Sequence, residues 1–378
     1  MPAFRADREA KASELGVLLN STSSIVLLGF EHLGPYEWRF TMLRFRFVRT
    51  LGFVTVLAIA MSACGSGDQE TLTVYSGRSE NLVAPLLEMF TEETGIEVAV
   101  RYNSSSDLAL LVELEGDLSP ADVFISQSPG ALGFLDQLGV LDQLEPDVLA
   151  SVAPEHRGDD GRWVGLSGRV RVLVYNKDLV SVEDLPTSIF DLTDPAFAGQ
   201  VAVAPANGSF QDFVTALRFR AGEEATAEWL VAMAANGAPT YANNSAIVQA
   251  VGLGAVPMGL VNHYYNHRAV AEDPNVASVN HYFDEGDVGS VIIVTGAAVL
   301  NASEHSEAAN QLVAFLLSPA AQEFFAQETF EYPLVPGVDT AGGVPALSQV
   351  SSTSYDISSL EGGLERTLEM IHLSGLSG

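Results

Sequence analysis

Alternating apolar runs exchange with segments of helical spacing along the first part of the chain. Leu72-Thr73-Val74-Tyr75 is rich in β-forming side chains and stops at Ser76-Gly77, a strand entering a turn. Apolar residues then fall at 82, 83, 86, 87 and 90, the spacing of one helix face, and Gly95 ends that helix. The stretch 96–100 alternates again, 108–114 reads as a helix and 121–125 as a third strand. Strands alternating with helices imply parallel βαβ units. Ligands of such sheets bind beyond the carboxyl ends of the strands, here the loops 76–80, 103–107 and 126–130.

A second region begins near Trp163. The run 169–176 reads as a long strand able to cross between lobes, and 201–204 as a strand ending at Pro205-Ala206-Asn207-Gly208-Ser209. Helices are predicted over 210–220, over 227–235 and from Ile247. The strand 256–261 then carries Asn262, His263, Tyr264 and Tyr265 out of its end. The apolar run 291–300 reads as a return crossing, followed by helices over 308–317 and 320–326 and a last helix near 360–373.

The start of the chain has a different pattern. Arg44, Arg46 and Arg49 precede an apolar run over 51–61, then Ser62, Ala63 and Cys64. A basic segment, a short apolar segment and small residues make an export signal, and the apolar run falls short of the roughly 20 residues of a spanning helix. A cysteine directly after small residues resembles the bacterial lipobox, which implies cleavage before Cys64 and a lipid on its sulfur. Residues 1–41 do not fit in front of such a signal. They are expected to be a mis-assigned start or a disordered extension, with 42–63 the signal and 64–70 a flexible tether. Cys64 is the single cysteine, so no disulfide can form within the chain.

With 18 Lys and Arg against 48 Asp and Glu, the formal net charge is -30. Such a field repels nucleic acid and anionic lipid surfaces, leaving a lipid anchor as the expected membrane contact. A hydrophobic content of 47% argues for a folded globule. No nucleophile elbow or metal-spaced cysteines point to an enzyme or structural zinc: Gly65-Ser66-Gly67 lies in the tether.

Candidate chemistry centres on Asn262-His263-Tyr264-Tyr265-Asn266-His267-Arg268. Two adjacent phenols among imidazoles and amides suit a hard, high-valent cation such as Fe(III), whose charge can displace the phenolic protons. The dipeptide also fits one core tyrosine and one at a polar rim. The turn Pro205 to Ser209 offers either free backbone N–H groups to an anion or an ordinary cap by Asn207 or Ser209, and local sequence favours the cap.

The assembled pattern resembles the periplasmic ferric-ion-binding proteins of ABC transporters, a branch of the two-lobed type II solute-binding fold. The marks are Val74-Tyr75-Ser76-Gly77-Arg78, Ala121-Asp122-Val123-Phe124, 163–169, 205–210, 241–245, Asn262-His263-Tyr264-Tyr265 and Glu331-Tyr332-Pro333-Leu334. The resemblance covers about 72–338. It implies an α/β fold with a ligand cleft between lobes, here 71–168 with 295–340 and 169–294 with 341–378. Hinges are expected near 168–172 and 295–299. It further implies Tyr264 and Tyr265 as phenolate ligands, and Asn207, Gly208, Ser209, Asn244 and Asn262 around a synergistic anion, carbonate or phosphate. The expected protein is a monomeric, extracytoplasmic, lipid-anchored carrier that delivers iron to an ABC permease.

Three positions depart from that pattern. Ser79 and Gln127 stand where one branch has His and Glu ligands, and Phe210 lies where another has a third Tyr. A bidentate anion plus water would then complete the iron, with Arg78 placed either to hold that anion or to form a salt bridge. His263 and His267 are expected at a solvated rim rather than as ligands, and Glu80 is a further ligand candidate. The rival reading is the same fold binding an oxyanion or a small organic carboxylate.

Overall fold

The central strand of the fold is a 13-residue β-strand whose two halves have different partners. The computed structural model describes residues 71–350 and 363–376. The expected upstream extension, signal, lipidated Cys64 and tether lie outside the described residues.

The first strands are β1 (Thr71–Ser76), β2 (Glu97–Tyr102) and β3 (Val123–Ser126), with helices Glu80–Thr94 and Ser105–Glu115 between them. β1 pairs in parallel with both β2 and β3, as expected for βαβ units. The long strand is β4 (Val164–Asn176), followed by β5 (Val201–Ala202), β6 (Met258–Asn262), β7 (Ser278–His281), β8 (Ile292–Val299) and β9 (Tyr332–Pro333). The hydrogen-bonded order is β2-β1-β3-β8-β4-β6-β5, with β7 and β9 also on β4. Residues Val164 to Val170 of β4 run antiparallel to β8, whereas Arg171 to Tyr175 run antiparallel to β6. The return crossing read from 291–300 is this β8, antiparallel to both β3 and β4.

Burial explains why β4 holds its place. All 13 residues are buried, and Val170, Val172, Leu173 and Val174 are apolar on both faces of the sheet. The apolar core continues through Phe90, Phe124, Trp163, Phe213, Trp229 and Phe325.

The structure adds elements absent from the reading of the sequence. A helix spans Pro129–Gln137, with proline in its first turn. Strand β9 has only two residues, and β7 (Ser278-Val279-Asn280-His281) has a single apolar one, so neither shows a period. The helix His263–Glu272 begins directly at the end of β6, so Tyr264 and Tyr265 sit in a first helical turn and not on a loop. His263-Tyr264-Tyr265 lacks the turn residues that would have separated the two elements. The last helix, predicted near 360–373, is described as Leu364–Leu373. Among the described residues, no helix is long and apolar enough to cross a membrane.

Candidate metal and anion site

Tyr264 and Tyr265 are brought together as stacked rings, with centroids 4.2 Å apart at 28°. Tyr264 is fully buried and Tyr265 half-buried. Burial, then the neighbouring Tyr265, raises the Tyr264 phenol well above the ordinary tyrosine range, while Arg78 pulls it down. The phenol therefore keeps its proton at neutral pH unless a bound cation displaces it. Among the described residues there is no cluster of three or more His, Cys, Asp or Glu that could hold a metal ion.

Arg78 lies at the end of β1 and is 2% exposed. Its guanidinium forms a buried ion pair with Glu331, and the other oxygen of Glu331 accepts from Ser167 Oγ. Burial works against the charge of Arg78, but Glu331 and then Tyr264 and Tyr265 outweigh it and raise its pKa. The salt-bridge alternative for Arg78 is therefore realised, with the cation still beside the tyrosines.

The turn that admits Arg78 depends on Gly77. A Cβ there would lie 2.9 Å from Ser105 Cα, at the start of the helix Ser105–Glu115. Gly77→Ala is expected to lower stability by about 1–3 kcal/mol, because backbone has to move. Gly130→Ala, which meets nothing within 4 Å and lies inside a helix, is expected to gain about 0.5–1 kcal/mol. Urea midpoints of the two variants test this contrast.

Three of the predicted anion residues, Ser209, Asn244 and Asn262, gather around a side chain not assigned to the site from sequence. Arg171 Nη1 lies 3.3 Å from Ser209 Oγ, 3.5 Å from Asn244 Oδ1 and 3.2 Å from Asn262 Oδ1. Its Nη2 donates to the Leu260 carbonyl at 2.8 Å. Burial pushes the Arg171 guanidinium down to about 9, so it stays charged at neutral pH. Asn207 caps the helix Gly208–Ala221, its Oδ1 accepting from Ser209 N at 3.1 Å and from Ser209 Oγ at 2.6 Å. Gly208 is exposed in the same turn. The ordinary cap favoured by the local sequence is therefore formed.

Ser167, Arg169 and Arg171 share one face of β4 by its two-residue repeat. Arg169 donates to the Gln127 carbonyl, so Gln127 meets this row through its backbone. Two arginines alternating with valines in a fully apolar setting were the signal for this row, since buried arginines need partners. Ser79 and Glu80 are exposed at the start of the helix Glu80–Thr94.

His263 corrects the expectation of a solvated rim. It is fully buried, its Nδ1 accepts from Val170 N at 3.2 Å, and its ring stacks on Tyr332 at 4.6 Å. Burial pushes it down to about 3, so it is a neutral part of the core. His267 is half-buried against Phe330 and is pushed down to about 4 by burial. Both rings are packed because the helix starts at His263 and turns them back toward β4 and the 330–332 segment.

A cavity of about 280 Å³ lies beside this region, lined by Ser104, Ser105, Gln127, Ser128, Gly208 and Asp212 among others. The tyrosines are not part of its wall. Burial pushes the Asp212 carboxyl up to about 6 against the pull of Arg169, Ser128 and Arg171.

The sequence model of a family described as bacterial extracellular solute-binding protein matches residues 119–354, more than half of the chain. A Serratia marcescens protein named Fe(3+)-binding periplasmic protein is 31% identical over 337 residues, 87% of this chain and 98% of that one. The solved structure of iron-bound HitA from Pseudomonas aeruginosa superposes with a TM-score of 0.78 at 34% identity, covering 81% of this chain and 99% of the other. A Trichodesmium protein solved with iron and citrate ligands gives 0.69 at 25% identity, covering 81% and 99%. The two-lobed type II architecture expected from the sequence is the fold of this chain, which belongs to the family of bacterial extracellular solute-binding proteins.

Proposed function

We propose that this protein captures Fe(III) outside the cytoplasm, together with a synergistic anion, and hands it to an ABC permease. The observation that carries the reading is the pair of stacked phenols, Tyr264 and Tyr265, set beside the buried Arg78. The ferric and iron-bound relatives support it. Tyr264 and Tyr265 are the metal ligands, and Arg78, Asn207, Gly208, Ser209, Asn244 and Asn262 hold carbonate or phosphate.

The charges suit that assignment. Two phenolates leave one positive charge on Fe(III), which an anion offsets. The remaining coordination positions go to that anion and to water, since Ser79 and Gln127 replace the His and Glu of one branch. The two lobes are 71–168 with 295–340 and 169–294 with 341–378. This division is supported by β4, whose partners change from β8 to β6 between Val170 and Arg171. Closure is a hinge at 168–172 and 295–299. The carrier is a monomer held to the membrane by a lipid on Cys64.

The deciding experiment is a visible absorption titration of residues 65–378 with ferric citrate, with and without bicarbonate. A broad phenolate-to-iron band is expected, and its absence under both conditions sinks the ferric reading. The rival is an oxyanion or small carboxylate carrier, favoured by the three buried arginines Arg78, Arg169 and Arg171. It predicts no band, and saturable binding of the anion without iron.

The raised phenol of Tyr264 sets the pH dependence. Binding that displaces the protons of two phenols makes affinity rise with pH by about two decades per unit. Competition against a chelator of known pH dependence, between pH 5.5 and 7.5, measures the slope. A flat profile means that the phenols do not ionise on binding.

A further inference from the structure

We infer that Arg171 is the positioning residue that fixes the amides of the anion subsite, leaving the Asn262 N–H available and making it a site for an acceptor-only oxyanion. The inference rests on the proposed anion role of Asn244 and Asn262.

A guanidinium has donors and no acceptor, so any amide atom facing it must be oxygen. Arg171 Nη1 faces Asn262 Oδ1 at 3.2 Å and Asn244 Oδ1 at 3.5 Å. Each amide is thereby forced to turn its nitrogen away. The Asn244 nitrogen donates to Ser209 Oγ at 2.8 Å. The Asn262 nitrogen is buried with no partner, although the residue is only 1% exposed. A buried unpartnered donor costs free energy unless a ligand or water takes it.

The second observation is a missing cap. Asn262 occupies the N-cap position of the helix His263–Glu272, where Asn ordinarily accepts from the first-turn N–H groups. It makes no such bond here, because its oxygen is committed to Arg171. Arg171 therefore leaves two sets of donors in one place: the Asn262 amide and the uncapped first turn carrying Tyr264 and Tyr265. An ionised oxyanion with several acceptor oxygens satisfies both.

Arg171 is itself held without carboxylate hydrogen bonds. Leu260 carbonyl takes Nη2, and the rings of Phe210 and Phe213 lie 6.0 and 5.7 Å from its guanidinium carbon. Its charge is therefore only partly offset nearby, with Asp212 the carboxyl that feels it.

The test uses the full chain loaded with ferric nitrilotriacetate and titrated with phosphate and, separately, bicarbonate, reading the position of the phenolate-to-iron band. In Arg171→Met the amides are free to rotate, and the anion concentration for half-effect is expected to rise at least about tenfold, the scale of other outer-shell losses. Arg171→Lys keeps the charge without the fork and should restore part of it. Asn262→Asp gives Arg171 a carboxylate partner and should melt no lower than wild type, yet it removes the donor and should lose the anion response. An arginine with only a structural role would lower the melting temperature in Arg171→Met and leave the half-effect concentration unchanged. That result, or an unaltered anion response in Asn262→Asp, overturns the inference. Should Arg171→Met not fold, the Lys and Asp variants decide. Iron binding retained in the Tyr264→Phe/Tyr265→Phe protein would instead overturn the underlying ferric reading.

Discussion

Replacing Tyr264 and Tyr265 with phenylalanine is expected to abolish the phenolate-to-iron band and weaken ferric binding by about four orders of magnitude. The scale comes from four-ligand structural zinc sites, where about 10–16 kcal/mol is shared and each ligand accounts for roughly 3 kcal/mol, or about a hundredfold. The substitution removes little else. Phenylalanine keeps the ring stack of 4.2 Å and the first turn of the helix His263–Glu272. The apo double variant should therefore melt close to wild type. Burial keeps Tyr264 a neutral phenol in the metal-free protein, so deleting its oxygen removes no charge there. Affinity is measured by competition with citrate, and the band by visible absorption. A double variant that binds iron within tenfold of wild type would place the metal elsewhere.

Glu331→Gln is expected to cost about 3–5 kcal/mol of folding stability, because it leaves the Arg78 cation buried without its counter-charge. The side chains of the pair are 1% and 0% exposed, so water cannot replace the partner. Glutamine keeps the size of the residue and an acceptor oxygen for Arg78 or Ser167, so the loss isolates the charge. Arg78→Met/Glu331→Gln should recover most of the stability, since neither charge then remains to be solvated. The same double variant should bind iron more weakly, because Arg78 is the first charged neighbour that favours ionisation of Tyr264. Urea unfolding of the single and double variants reads the first effect. A single variant within 1 kcal/mol of wild type would show that water or another group reaches Arg78.

These two outcomes draw on residues of different legibility. Tyr264-Tyr265 is visible as a dipeptide, because the two proposed ligands are adjacent positions. The Arg78–Glu331 pair joins residues 253 positions apart, and no local pattern connects them. Its two members did stand in separate marks of the family resemblance, at Val74-Tyr75-Ser76-Gly77-Arg78 and Glu331-Tyr332-Pro333-Leu334. Arg169 and Arg171 read from the sequence as part of the crossing strand and its hinge, with Arg169 closing the family mark 163–169, and neither stands out as a site residue. Their role follows from which strands flank β4, and that is a matter of topology.

The turn at Asn207 shows the same division in miniature. Sequence supports both a cap and an anion cradle, because each uses the same N–H groups. In the structure Asn207 caps the helix, while Ser209 also reaches Arg171 and Asn244. His263 is the opposite case. Its polar neighbours suggested a rim, yet the helix begins at His263 itself and packs the ring against Val170 and Tyr332.

The sequence by itself determined the βαβ alternation, the long crossing strand and its return, and the phenol pair, because these depend on periods of two or 3.6 and on adjacent residues. The tertiary structure alone decided that three arginines lie buried near those phenols, which carboxylate neutralises Arg78, and which way Asn262 faces. Those facts depend on pairings between distant segments and on the desolvation of charges, and both arise only when the strands have been brought into one sheet.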